Sequence, residues 1–160
     1  MSDPLATYLH DHLAGSTFAI ELLASLRNQH SKTELGGFAA AVLADVREDQ
    51  QVLQTIVDRV GKSGVDFKQA TAWLAEKASE LKLRRDDPSG LATLQSLETL
   101  ALGIVGKLGL WRALAVVAET DDRVRGGDFA KLTARAQDQH ARVEQRRMET
   151  VRSAFKAIPK

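Results

Sequence analysis

Apolar residues recur every three to four positions along most of this chain, the repeat of an amphipathic helix. The repeat is clearest from Ala39 onward, where Ala39, Val42, Leu43, Val46, Leu53, Ile56, Val57 and Val60 fall on one stripe. An earlier stretch carries Leu5, Leu9, His12, Ser16, Ala19, Leu23 and Leu26 on one side. The last carries Phe129, Thr133, Ala136, His140, Val143, Arg147, Val151, Ala154 and Ile158. No stretch of useful length alternates as a half-buried strand would.

Punctuation between the stripes divides them into five helices. The first opens at "SDP", with Asp3 as N-cap and Pro4 at the first helical position, and runs to about His30. The second opens near Thr33–Glu34 and ends at Gly61. "GKSGVD" is a turn, and a shorter third helix follows over about 67–85. "DDPSG" breaks it, and the fourth runs from about Leu91 to Thr120. "DDRVRGGD" leads into the fifth, with Asp128 as N-cap, ending near Ala157. The four long helices have about 26–30 residues each, or about 40 Å. Short turns make antiparallel hairpins of the first and second, and of the fourth and fifth. The segment 61–88 can span the bundle and start the fourth helix at the end where the second began. The expected fold is all-α, one domain over 1–160, a four-helix bundle with a shorter helix in a long crossover. A five-helix up-and-down array is the competing topology.

Composition narrows the chemistry. The chain has 160 residues, 44% hydrophobic but only 5% aromatic, so the core is built of Leu, Val, Ile and Ala. It has no cysteine, which excludes disulfides, thiolate metal sites and cysteine catalysis. The net charge is +1. The excess of Lys and Arg beyond residue 128 reads as a solvated helix face, and neither nucleic acid nor membrane is an expected partner. The polar N-terminus lacks the apolar core of a signal peptide, and no uninterrupted apolar run reaches about 20 residues. A cytoplasmic location is expected. Neither a phosphate-binding loop nor a nucleophile elbow occurs. Gly103, Gly106 and Gly109 in "GIVGKLG" read as a place where a neighbouring helix approaches closely.

Five polar residues fall on stripes that should be buried: His12, Asp49, Arg112, His140 and Arg147. Levels counted along the bundle put the first four within about 8 Å of one height. Buried charges need partners. The simplest layer has Asp49 accepting from His12 and Arg112, with His140 completing it and Arg147 pairing with Glu98 or Glu144. The same layer could instead hold a small anion or polar ligand. His12, Asp49 and His140 would also make a two-histidine, one-carboxylate metal set, which the Arg112 charge opposes.

Two helical hairpins joined by a crossover, with "YLHDHLAGSTFAIELLASL", "LALGIVGKLGLWRALAVVAE" and "RAQDQHARVEQRR", resemble small bacterial members of the ferritin-like superfamily. The resemblance covers nearly the whole chain. It implies a di-iron ligand set, for which the matching positions are Glu21, Glu48 with Gln51, Glu98, and Gln137 with His140. Two of the six are glutamine. On the helical wheel Glu21, Glu48 and Gln51 turn away from the apolar stripes, and Glu98 and His140 differ in level by about 18 Å. The expectation is a non-catalytic ferritin-like bundle without a di-iron centre, a binding or interaction module that could form a homodimer. No cofactor is expected. The alternatives are an iron- or manganese-dependent redox or iron-handling protein using His12, Asp49 and His140, and a small-ligand binder.

Overall fold

A computed structural model describes residues 3–62, 72, 74–77, 79, 90–156 and 159. Among them every regular element is a helix. Four are long: α1 (Pro4–Gln29), α2 (Glu34–Val60), α3 (Leu91–Val117) and α4 (Phe129–Ala154). Most of the shorter helix expected over 67–85 lies outside the described residues, as do Trp73 and Ile158; residues 72, 74–77 and 79 are helical.

The cap chemistry explains the boundaries. Asp3 accepts from the Leu5 amide at 2.9 Å ahead of Pro4. Thr33 accepts from the Gly36 amide, and Asp128 from the Lys131 amide at 3.0 Å. Each satisfies an amide that the first helical turn leaves without a partner. α2 ends at Gly61, whose φ of 102° and ψ of −174° belong to a region that only glycine enters without strain.

Contacts between the helices set their directions. α1 packs on α2 and α3 on α4, and α1 also touches α3. The Gln50 amide of α2 donates to Ser16 and Thr17 of α1. Along the α2–α4 seam, Arg146 lies over the Phe38 ring, Arg142 pairs with Asp45, and Arg135 pairs with Glu48. Residue numbers rise on α2 as they fall on α4, so these two run antiparallel. Arg147–Glu98 and Lys107–Gln139 give the same sense for α3 and α4. Hence α2 and α3 point the same way, and residues 61–90 carry the chain from one end back to the other. The helices surround the core in the order α1, α2, α4, α3.

Leucine and isoleucine fill that core, with Leu9, Leu23, Leu43, Ile56, Leu97, Leu110 and Leu114 almost wholly buried around Trp111. Burying one such side chain stabilises by about 1.5–3 kcal/mol. α3 differs from the other helices because it is apolar nearly all round. It is the one helix among the described residues long and apolar enough to cross a membrane, with 33% of its most apolar stretch buried. Its outer face stays open: Leu102, Val105 and Val116 are 74, 51 and 64% exposed. Gly103, Gly106 and Gly109 are exposed too, and a Cβ on any of them would meet nothing within 4 Å. Among the described residues, the close helix approach expected at these glycines is not there.

Candidate functional site

Asp49 is the buried charge of α2, 3% exposed, and it sits one turn below Val46 on the apolar stripe. Its partners come from two other helices. Lys107 of α3 reaches across the bundle, and its ammonium donates to Asp49 Oδ2 at 2.6 Å and to the side-chain oxygen of Gln139. Gln139 of α4, fully buried, donates from Nε2 to the same Oδ2 at 2.9 Å. Arg135 Nε lies 3.3 Å from Oδ1, and its Nη2 donates to Glu48 at 2.8 Å and to the Asp45 carbonyl at 3.0 Å. Oδ1 itself accepts no well-directed hydrogen bond among the described residues. Burial is the largest influence on Lys107 and pulls its pKa below the usual 10.5; the Asp49 charge and hydrogen bond oppose that pull.

Beside this cluster lies a cavity of about 590 Å³ between α1, α2 and α3. That volume is typical of small-molecule sites, at about 300–1,000 Å³. Most of its wall is apolar, including Phe18, Leu53, Ile104 and Leu110, and Leu74 and Lys77 also line it. Asp49 and Lys107 form one polar patch, and Gln95, Glu98 and Thr99 form another farther along α3. Trp111, one helical turn beyond Lys107 on the same face, is 1% exposed and stacks on Phe129 at 6.4 Å. It lines the cavity, and its buried indole N–H has no hydrogen-bond partner among the described residues. His12 lines the wall from α1, edge-on to the Tyr8 ring at 4.7 Å. Burial lowers its pKa, against the opposing Asp11 charge, which favours the neutral imidazole.

The five residues singled out from sequence are not brought together as one layer. Asp49 is buried and His12 lines the same cavity. Arg112 is exposed, which corrects its placement inside. An all-round apolar helix gives a wheel no direction, and the α3 residue that turns inward near this level is Lys107. His140 is half-buried and neighbours Glu144; the adjacent Gln139, about 100° around the helix, takes the centre. Asp49 thus accepts from Lys107 and Gln139, not from His12 and Arg112. Arg147 donates from Nε to Glu144 at 2.9 Å and from Nη1 to Glu98 at 3.4 Å. Glu21, Glu48 and Gln51 are exposed. Among the described residues no three His, Asp or Glu side chains converge as metal ligands, so His12, Asp49 and His140 do not form that set. Lys107 had one usable signal, a lone cation in an apolar run one turn before a tryptophan.

No protein-family model, curated protein or solved structure matches this chain.

Proposed function

We propose that this chain is a ferritin-like bundle without a di-iron centre, acting as a non-catalytic binding module whose occupant is a small molecule. The cavity beside Asp49 and Lys107 carries this reading. A bundle that needed only a polar layer to set helix register would pack its apolar positions to near-crystalline density. Here about 590 Å³ stays open beside the Asp49–Lys107 ion pair. The parallel course of α2 and α3, which requires a long crossover, supports the ferritin-like part of the reading.

Titration with N-phenyl-1-naphthylamine, a neutral apolar fluorophore, tests the site. We expect saturable binding of one probe per chain. Ligand at about 100 times its Kd adds about 2.7 kcal/mol of stability. For a chain of this size that raises Tm by about 5–10 °C. Fluorescence rising without saturation, with an unmoved Tm, would end the small-molecule reading. Metal analysis of protein grown with iron and manganese, beside a His12→Ala/His140→Ala variant, tests the metal alternative: stoichiometric metal lost in the variant would replace this proposal.

The open face of α3 supports a second role, as the interface of a homodimer. Leu102, Val105, Gly109 and Val116 share that face, with Glu98 and Arg112 each seven residues from Val105. Antiparallel pairing of two copies about Val105 sets Glu98 of each opposite Arg112 of the other. Sedimentation equilibrium at tens of micromolar should give a dimer that Val105→Glu dissociates. A wild-type monomer at that concentration sinks the second role.

A further inference from the structure

We infer that the cavity selects an uncharged, largely apolar molecule, because Asp49 serves as a built-in counter-ion that occupies Lys107 and so closes the site to carboxylates. The inference rests on the small-molecule reading above and adds the charge class of the ligand and the two residues that set it.

The charges along the wall decide this. Asp49, Lys77, Glu98 and Lys107 line the cavity, and of these Asp49 and Lys107 are withdrawn from water, with side chains 3 and 15% exposed. They meet at 2.6 Å, and Gln139 bonds to both. Arg135 also approaches Asp49, but Glu48 and Asp45 balance its charge. The interior of the site therefore holds one cation matched by one anion. Lys77 and Glu98, one of each sign, are exposed and keep their charges in water at the rim. Burial favours the neutral imidazole of His12 on the α1 wall. Phe18, Ala19, Leu53, Leu100 and Ile104 supply apolar surface.

An ionic head finds nothing there to replace its water. A carboxylate would have to displace Asp49 from Lys107, and an ammonium would have to displace Lys107 from Asp49. Either exchange leaves a charge of the protein buried and unpaired, which is costly. At the rim Glu98 is already paired with Arg147, and Lys77 carries the opposite sign, so neither kind of ion gains by staying outside. An uncharged molecule leaves the Asp49–Lys107 pair intact and gains by covering the apolar wall. The selectivity thus comes from the pairing. Lys107 without Asp49 would make an anion site of the same cavity.

The test is displacement of bound N-phenyl-1-naphthylamine by three molecules with the same ten-carbon chain: decan-1-ol, decanoate and decylammonium. All are used at neutral pH and below the concentrations at which they form micelles. With the wild-type protein, decan-1-ol should bind about ten-fold or more tightly than either ion. Asp49→Asn keeps the size of the side chain and an oxygen that can accept from Gln139, but it frees Lys107. In that variant decanoate should gain about ten-fold or more relative to decan-1-ol, the worth of one hydrogen bond to a charged group. Decylammonium should gain nothing. Adding Lys107→Met to Asp49→Asn should restore the wild-type order. The wild-type comparison decides whether or not the variants fold. Either ion matching decan-1-ol there, or decan-1-ol failing to displace the bound probe, overturns the inference and leaves a small-molecule site. A folded Asp49→Asn protein that keeps the wild-type order also overturns it, and a probe that never saturates removes both readings.

Discussion

Asp49→Ala is expected to destabilise the bundle by about 3–5 kcal/mol, the cost of breaking a buried ion pair from one side. The substitution strands two groups at once. Lys107 loses its counter-charge while its side chain stays 15% exposed, and Gln139, fully buried, loses its acceptor. Arg135 suffers less, because Glu48 and Asp45 still hold it. Asp49→Leu with Lys107→Met removes both charges and fills the space with carbon. That pair should be more stable than Asp49→Ala by about 2 kcal/mol, because no unpaired charge remains. Urea unfolding of wild type, Asp49→Ala, Asp49→Leu, Lys107→Met and the Asp49→Leu/Lys107→Met double variant reads this directly. Strictly additive losses would show that Asp49 and Lys107 do not act as a pair.

The pH dependence has a definite sign. Burial sets the Lys107 pKa below 10.5, with Asp49 holding it up. Between the native value and 10.5 the unfolded chain binds more protons at this site than the folded chain, so this contribution to stability rises with pH across that window. Below the window the buried ammonium is charged in both states, and its desolvation counts against the fold. Removing Asp49 takes away what held the pKa up, so the window extends to lower pH. The gap between wild type and Asp49→Ala should therefore narrow as pH is raised from 7 toward 10, because the stranded lysine sheds its proton. A gap that stays constant, or widens, would contradict the sign.

Much of the architecture was readable from the chain because the relevant information is local. Caps at Asp3, Thr33 and Asp128 need only side-chain chemistry within three residues of the helix start. The α2 stripe is strongly one-sided, so the wheel turned Asp49 inward and Glu48 and Gln51 outward, as the structure has them. The same tool failed on α3 for a physical reason. With Leu or Val on every side, composition does not say which side is buried. Packing against α4 and α1 decides it, and that is information about partners. Arg112 was consequently placed inside, where the structure has Lys107. On α4 the stripe held Phe129, Ala136 and Val143, which are buried, but its centre leaned toward His140, and Gln139 on the other side of it is the polar residue that goes inside. The cavity had no sequence signal, since an unfilled volume follows from how three helices sit together.

Gly36→Ala is expected to destabilise by about 3 kcal/mol, and Gly37→Ala, one position later, to stabilise by about 0.5–1 kcal/mol. On intrinsic preference both should help, since alanine is favoured over glycine in a helix by about 1 kcal/mol. The α1–α2 turn separates them. A Cβ on Gly36 would lie 2.0 Å from the His30 carbonyl oxygen and 2.6 Å from its carbon. That carbonyl already accepts from the Thr33 amide at 2.9 Å, and Thr33 caps α2 through the Gly36 amide. The obstacle is backbone at the joint of the first hairpin, so it cannot swing aside as a side chain could. Relief requires opening the turn, which loosens the cap and the packing of α1 on α2, a cost at or above the upper end of overpacking penalties. At Gly37 the added methyl points into open space. Thermal unfolding should therefore show Tm falling by about 6–12 °C for Gly36→Ala and rising by about 1–4 °C for Gly37→Ala. Equal responses from the two glycines would mean that the first hairpin does not close through this contact.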